Sequence, residues 1–144
     1  MTQIAYLAGP IDDIKNEEVL WWVDPLKRVF TEIGVNSYSP FYAITQTPFL
    51  RGSAEKICAI NRHAVMCCDF LVAYLAGKGR GFGTIREIEY ARACAKPVYV
   101  IGHLQSLEAH DIITVDPRLM TSTTTWRGIL GIDPPPVDGV IHAT

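Results

Sequence analysis

The spacing of apolar residues changes several times along the chain, and each change marks an element. Gln3-Ile-Ala-Tyr-Leu-Ala8 is a short apolar run that reads as a buried strand, closed by Gly9-Pro10. Over 16–33, Val19, Leu20, Val23, Leu26, Val29, Phe30 and Ile33 recur at intervals of three to four, predicting an amphipathic helix, with Gly34 as its C-cap. A second strand is expected at 35–38. The stretch 39–52 holds Pro40, Pro48 and Gly52 among bulky residues and reads as an ordered loop. A helix over 53–68 opens at Ser53 with Glu55 in its first turn. Asp69-Phe-Leu-Val-Ala-Tyr-Leu75 is a continuous apolar strand, which implies cover on both faces as in a parallel sheet. The glycine-rich loop 77–83, a helix from Thr84 to Ala95 and the strand Val98–Gly102 complete a β–loop–α–β unit. Residues 103–144 are less regular, with a Thr/Ser run at 121–125, a short helix near 126–131 and Asp133-Pro-Pro-Pro136.

This alternation predicts a doubly wound α/β fold with a parallel sheet, Rossmann-like in the broad sense, whose ligands sit at the carboxyl ends of the strands. The loops 8–13, 39–52 and 76–84 fall at that edge. Chain length fits one domain over 1–144, with 103–144 the part expected to face a second copy. Hydrophobic residues at 49% and charged residues at 19% exclude a disordered chain. Thirteen Lys and Arg against fifteen Asp and Glu leave no basic excess to neutralise a nucleic acid. No apolar run reaches the roughly 18 residues that span a bilayer, and the N-terminus lacks a signal pattern. The expectation is a cytoplasmic protein that binds neither nucleic acid polymer nor membrane. Cys58, Cys67, Cys68 and Cys94 contain no C-x-x-C pair and read as small buried hydrophobes in a reducing compartment. The scattered histidines have no ligand spacing, so no metal is expected.

Candidate chemistry concentrates in Gly81-Phe-Gly-Thr-Ile-Arg-Glu87. Glycines ahead of a helix allow close backbone approach to a ligand, and the helix start favours an anion. Thr84-x-x-Glu87 also matches a capping box, in which Glu87 would only satisfy a backbone N–H. The helix's packed face, however, is expected at Ile85, Ile88, Ala91 and Ala95, with Glu87 on its flank in the first turn. A carboxylate so placed can serve as nucleophile or base. Asn61 falls on the apolar face formed by Ile57, Ile60, Ala64 and Cys68, where its amide needs a partner. Asp69 opens its strand, either facing substrate or bracing a neighbouring loop. Arg51, Arg80 and Arg86 are candidate anion-binding forks. One of the adjacent Trp21 and Trp22 must point away from the core, as an interface residue would.

Tyr6-Leu-Ala-Gly-Pro10, Asp69-Phe-Leu-Val-Ala73, the Gly81-x-Gly-Thr-x-x-Glu-x-x-x-Ala91 stretch and Lys96-Pro-Val98, taken in order, resemble the nucleoside 2-deoxyribosyltransferase family. Its superfamily includes 2′-deoxynucleoside 5′-monophosphate N-hydrolases. The resemblance implies a flavodoxin-like fold, no cofactor, and a glutamate nucleophile at Glu87 that attacks C1′ of a nucleoside or nucleotide as the base leaves. It implies that Tyr6 lies beside the nucleophile and that Gly9 and Pro10 lie near sugar or phosphate. Arg80, Gly81, Phe82, Gly83, Thr84 and Asp69 would complete the substrate site. Relatives are homo-oligomers, so a homo-oligomer is expected here too. Where the family usually carries an aspartate this chain has Asn61, which cannot act as a general acid or base at neutral pH. Phe82 replaces a small or acidic residue and could stack on a base or plug the pocket. The departures leave room for a nucleotide-sequestering protein without turnover. Gly-x-Gly-Thr-x-x-Glu also resembles the cytokinin-activating phosphoribohydrolases, although the Pro-Gly-Gly lead-in of that family is missing.

Overall fold

The computed structural model describes residues 2–10, 16–46, 54–77, 82–102 and 111–134. Five strands, β1 (Ile4–Ala8), β2 (Asn36–Tyr38), β3 (Phe70–Leu75), β4 (Val98–Gly102) and β5 (Ile112–Val115), form one sheet in the order β2-β1-β3-β4-β5. All four pairings are parallel. This is the flavodoxin-like strand order, and the direction of winding reverses between β1 and β3.

Alternation along the three central strands builds two cores. Ala5 and Leu7 of β1, Phe70 and Val72 of β3, and Tyr99 and Ile101 of β4 point to one face. There they meet α1 (Asn16–Glu32) and α5 (Thr123–Leu130) through Trp22, Leu26, Phe30 and Trp126. Tyr6 and Ala8, Leu71 and Ala73, and Val98 and Val100 point to the other. That face is covered by α3 (Ala54–Cys67) and α4 (Phe82–Ala93), through Val65, Ile88 and Ala91. Burial on both faces is why these strands are apolar without a break. Gly34 ends α1 as expected, at φ 79°, and Val35 N–H returns to the Phe30 carbonyl at 2.8 Å. Trp22 is 4% exposed and Trp21 is 71% exposed, so the pair splits between core and surface.

Four expectations need correction. Part of the expected 39–52 loop is a short helix, α2 (Pro40–Thr45). Pro40 takes its first turn, where a missing N–H costs nothing, and Phe41 plugs the α1 core. The helix α4 starts at Phe82, two residues earlier than expected, and ends before Ala95, which is exposed at φ 58°. The irregular C-terminal stretch supplies an edge strand, β5, from the β-branched run Ile112-Ile113-Thr114-Val115. The Thr/Ser run belongs to α5, because the Ser122 hydroxyl accepts from Thr125 N–H at 3.2 Å and starts the helix three residues earlier than expected.

Gly9, at the carboxyl end of β1, is required by packing. A Cβ there would stand 2.2 Å from Trp22 Cζ2. Gly9→Ala should therefore destabilise by about 1–3 kcal/mol, as overpacking of a core does. The urea midpoint should fall at unchanged slope, and combining Gly9→Ala with Trp22→Leu should cost less than the two single losses added together.

Candidate functional site

The site begins with a strand tyrosine that cannot reach water. Tyr6 lies on β1, 0% exposed, with its ring on the α3/α4 face. Its hydroxyl donates to the Glu87 carboxyl, on the second turn of α4. Glu87 is half-buried. Because α4 opens at Phe82, Thr84 lies inside the first turn and not at its cap. The capping-box alternative for Glu87 gives way to this side-chain bond. The packed stripe of α4 is Thr84, Ile88 and Ala91, with Ile85 half-buried and Ala95 outside it.

Burial dominates the electrostatics. It pushes the Glu87 carboxyl up to about 7, against the smaller downward pull of the Tyr6 hydrogen bond. Tyr6 is held far above the ordinary phenol range, first by burial and then by the negative charge of Glu87. Tyr38, at the end of β2 and paired in register with Tyr6, stacks on it with ring centroids 5.5 Å apart. Cys68 packs into the same cluster, and its thiol is raised to about 11, chiefly by burial. A thiol so raised is a poor nucleophile.

Glu87 also lines a cavity of about 400 Å³ between α3 and α4, within the size range of small-molecule pockets. Asn61, Arg62 and Val65 of α3 and Gly83, Arg86 and Tyr90 of α4 share its wall. The Arg62 guanidinium lies 5.5 Å from the centre of the Tyr90 ring. Glu87, Asn61 and Gly83 thus share one cavity wall. Asn61 is half-buried beside Ala64, Val65 and Cys68, while Ile60 is 39% exposed and leaves the expected face. Arg62, Tyr90 and Tyr38 were not singled out by the sequence. The signal for the first two was their one-turn spacing, Cys58-Arg62 on α3 and Arg86-Tyr90 on α4. For Tyr38 it was a position at the carboxyl edge of a strand.

Other expected residues lie elsewhere. Asp69 is at the amino end of β3, where its carboxylate accepts from Ile4 N–H at 2.7 Å. It braces the β1–β3 pairing and does not join the cavity. Gly9 and the half-buried Pro10 follow β1 at the carboxyl edge, and the cavity wall includes neither. Thr84 is 2% exposed, and its hydroxyl has no hydrogen-bond partner. Arg51, Arg80 and Gly81 lie outside the described residues, as does the Phe82 side chain. The cysteines are free, but Cys58 and Cys67 are exposed and Cys94 is half-buried, so only Cys68 is the buried hydrophobe expected of all four. Among the described residues no group of three metal-ligating side chains comes together. No helix there is long and apolar enough to cross a membrane.

No protein-family model matches the chain, and no curated protein matches it. Solved structures do. A 2-deoxyribosyltransferase from Bacillus psychrosaccharolyticus superposes with a TM-score of 0.63 at 18% identity, over 83% of this chain and 90% of that one. A CMP N-glycosidase from Clostridium botulinum gives 0.53 at 14% identity, over 90% and 99%. A 2-desoxiribosyltransferase from Leishmania mexicana gives 0.55 at 19% identity, over 83% and 85%. The chain therefore has the fold of these enzymes. At such identities the likeness speaks for the fold alone, and the chemistry must be argued from the site.

A buried carboxyl with a raised pKa is a liability to the fold, and this can be measured. The folded chain keeps the Glu87 proton up to about pH 7, while the unfolded chain releases it near 4.5. Stability should thus fall as pH rises between those values, by about 3 kcal/mol in all, and stay level above. Glu87→Gln removes the charge and keeps an acceptor for Tyr6. It should raise the melting temperature by several degrees at pH 8 and leave it unchanged at pH 4. Equal shifts at both pH values would contradict this account of Glu87.

Proposed function

We propose that the chain cleaves or transfers the N-glycosidic bond of a nucleoside or nucleoside 5′-monophosphate, with Glu87 as nucleophile. The observation that carries the reading is the Tyr6–Glu87 hydrogen bond, with Glu87 also on the wall of a nucleoside-sized cavity between α3 and α4. In the first step a carboxylate oxygen of Glu87 bonds to C1′, the C1′–N bond breaks, and its electron pair leaves with the base, which takes a proton from water. In the second, water or a second base attacks C1′, the ester C–O bond breaks and the carboxylate returns. The attacking water loses its proton to solvent. Tyr6 orients the carboxyl in both steps. Arg62 and Arg86 on the cavity wall suit a substrate that carries a phosphate.

Asn61 supports a second reading, a protein that binds the nucleotide without turning it over. Its amide can hold a sugar hydroxyl or a base edge but can neither give nor take a proton. One experiment separates the two. The chain is incubated with ribo- and 2′-deoxyribonucleosides and their 5′-monophosphates, and free base is sought by chromatography. On the catalytic reading the wild type releases base and Glu87→Ala loses about 10³-fold or more. On the binding reading only Asn61→Asp does so. Retention of full activity by Glu87→Ala would remove the nucleophile assignment.

The pH profile follows from the same carboxyl. Only ionised Glu87 attacks, so kcat/KM should rise through about pH 7 and level off above about pH 8. A rate that is flat from pH 5 to 8 would assign the nucleophile elsewhere.

A further inference from the structure

The charges on the α3–α4 cavity wall do not balance. Arg62 and Arg86 bring two guanidinium groups to it, and both residues are exposed, so a solute that enters the cavity reaches them. Glu89 on the same wall is already engaged. Arg92, which is not part of the wall, pairs with it at 3.1 Å and with Asp111 at 3.2 Å. Burial holds the Glu87 carboxyl at about 7, so near neutrality it offsets only part of one arginine. Among the described residues Arg62 and Arg86 form no ion pair. A cleft lined by charge of one sign concentrates small ions of the other, here an anion.

Arg62 differs from Arg86 in being held. Its guanidinium lies over the Tyr90 ring, 5.5 Å from the ring centre. Tyr90 follows Glu87 by three residues, so the two stand on one side of α4, about 4.5 Å apart along its axis. A nucleotide whose C1′ meets Glu87 carries its phosphate away from that carbon, beyond C4′ and C5′. Arg62 waits one turn along the same wall. A guanidinium is a planar fork that matches phosphate, and one already stacked on a ring loses less freedom when it binds.

We infer that Arg62, held over Tyr90, anchors the 5′-phosphate of the substrate with Arg86 as a second contact, so that the chain acts on nucleoside 5′-monophosphates in preference to nucleosides. The placing of C1′ rests on the glycosidic reading above; the anion site does not. Tyr90 is a positioning residue, which offers Arg62 a ring face and makes no bond to the phosphate. Binding energy gained at the phosphate is spent on holding C1′ against the nucleophile.

The test compares nucleosides with their 5′-monophosphates on wild type, Arg62→Met, Tyr90→Phe, Tyr90→Leu and Arg28→Met. Wild type should favour the best monophosphate over its nucleoside by about 30-fold or more in kcat/KM. Arg62→Met keeps an unbranched side chain and removes the charge, and it should cut that ratio by about tenfold or more. Tyr90→Leu should lower the ratio by about threefold, through a higher KM for the monophosphate, whereas Tyr90→Phe keeps the ring and should change it by less than about twofold. Arg28 is exposed on α1, which covers the other face of the sheet, so Arg28→Met should leave the ratio as in wild type. A wild-type ratio near one, an unchanged ratio in Arg62→Met, or an equal loss in Arg28→Met overturns the inference and leaves Glu87 in place. If Glu87→Ala stays fully active the glycosidic reading fails. The anchor is then decided by dissociation constants of the same pairs, measured by calorimetry, as it is if no nucleotide is turned over. A ratio of one overturns it. Should Arg62→Met not fold, the unaltered chain decides. Ribose 5-phosphate should bind at about a tenfold lower concentration than ribose, and the difference should shrink as salt rises from about 0.05 to 0.5 M, as exposed guanidinium groups require. Equal binding of the two sugars overturns the inference.

Discussion

Tyr6 occupies a place from which its hydroxyl has no route to water. The strand that carries it lies between β2 and β3 and is covered by helices on both faces. A phenol buried there without a partner would cost about 1–3 kcal/mol. Glu87 supplies the acceptor, and in doing so its carboxyl is drawn out of solvent. Each group's burial thus justifies the other's. Neither is comfortable, since burial raises the pKa of both. A carboxyl poised near neutrality, held in one orientation and set on a cavity wall, is a poor way to stabilise a fold and a good way to attack carbon. This is the exchange of stability for reactivity expected of a working site.

The rest of the architecture serves to place those two groups. Winding reverses at the β1/β3 junction, so the chain leaves the carboxyl ends of these two strands in different directions and a crevice opens there. The strand β1 carries Tyr6 beneath α3 and α4, and the chain after β3 delivers α4 with Glu87 on its second turn. Asp69 contributes from the opposite end. Its carboxylate on Ile4 N–H, with its own N–H on the Ile4 carbonyl at 2.8 Å, sets the register in which β1 and β3 run forward. A residue that looked like part of the site therefore acts on it only through the sheet.

What could be read in advance followed from periodicity. The unbroken apolar runs at 4–8, 70–75 and 98–102 require a two-faced parallel sheet, and the three-to-four spacing before Gly34 requires an amphipathic helix. Glu87 was legible because a charged residue on the flank of a helix's apolar stripe is locally out of place. Features set by tertiary contact were not legible. The helix α2 depends on Phe41 finding the α1 core, and β5 on finding the edge of β4. No local pattern distinguishes Asp69 beside the ligand from Asp69 beside Ile4, because the difference is which end of the strand its partner occupies. Tyr38 looked like an ordinary strand residue. Its interest comes from stacking on Tyr6, a contact that a sequence does not display. The cysteines misled for a related reason: α3 carries Cys58 and Cys67 on its exposed side, while Cys68, just past its end, turns into the core.

Asn61 constrains the chemistry that the pocket can support. A departing base needs a proton or must leave as an anion. Beside Glu87 the described cavity wall offers the Asn61 amide, two arginines, Glu89, Tyr90 and Cys58. Arginine does not give up its proton, Glu89 is exposed to solvent, and the Tyr6 proton is committed to Glu87. If the Glu87 reading holds, the described wall offers no carboxylic acid shielded from solvent to the leaving base, and its remaining proton donors are the Tyr90 phenol and the Cys58 thiol. The bond that breaks most readily would then be one whose base tolerates negative charge, or one already protonated in solution. The amide therefore narrows the range of leaving groups more than it disables the site. On that reading the burden falls on Glu87, whose burial and single tyrosine donor are the features of this structure least explained by folding alone.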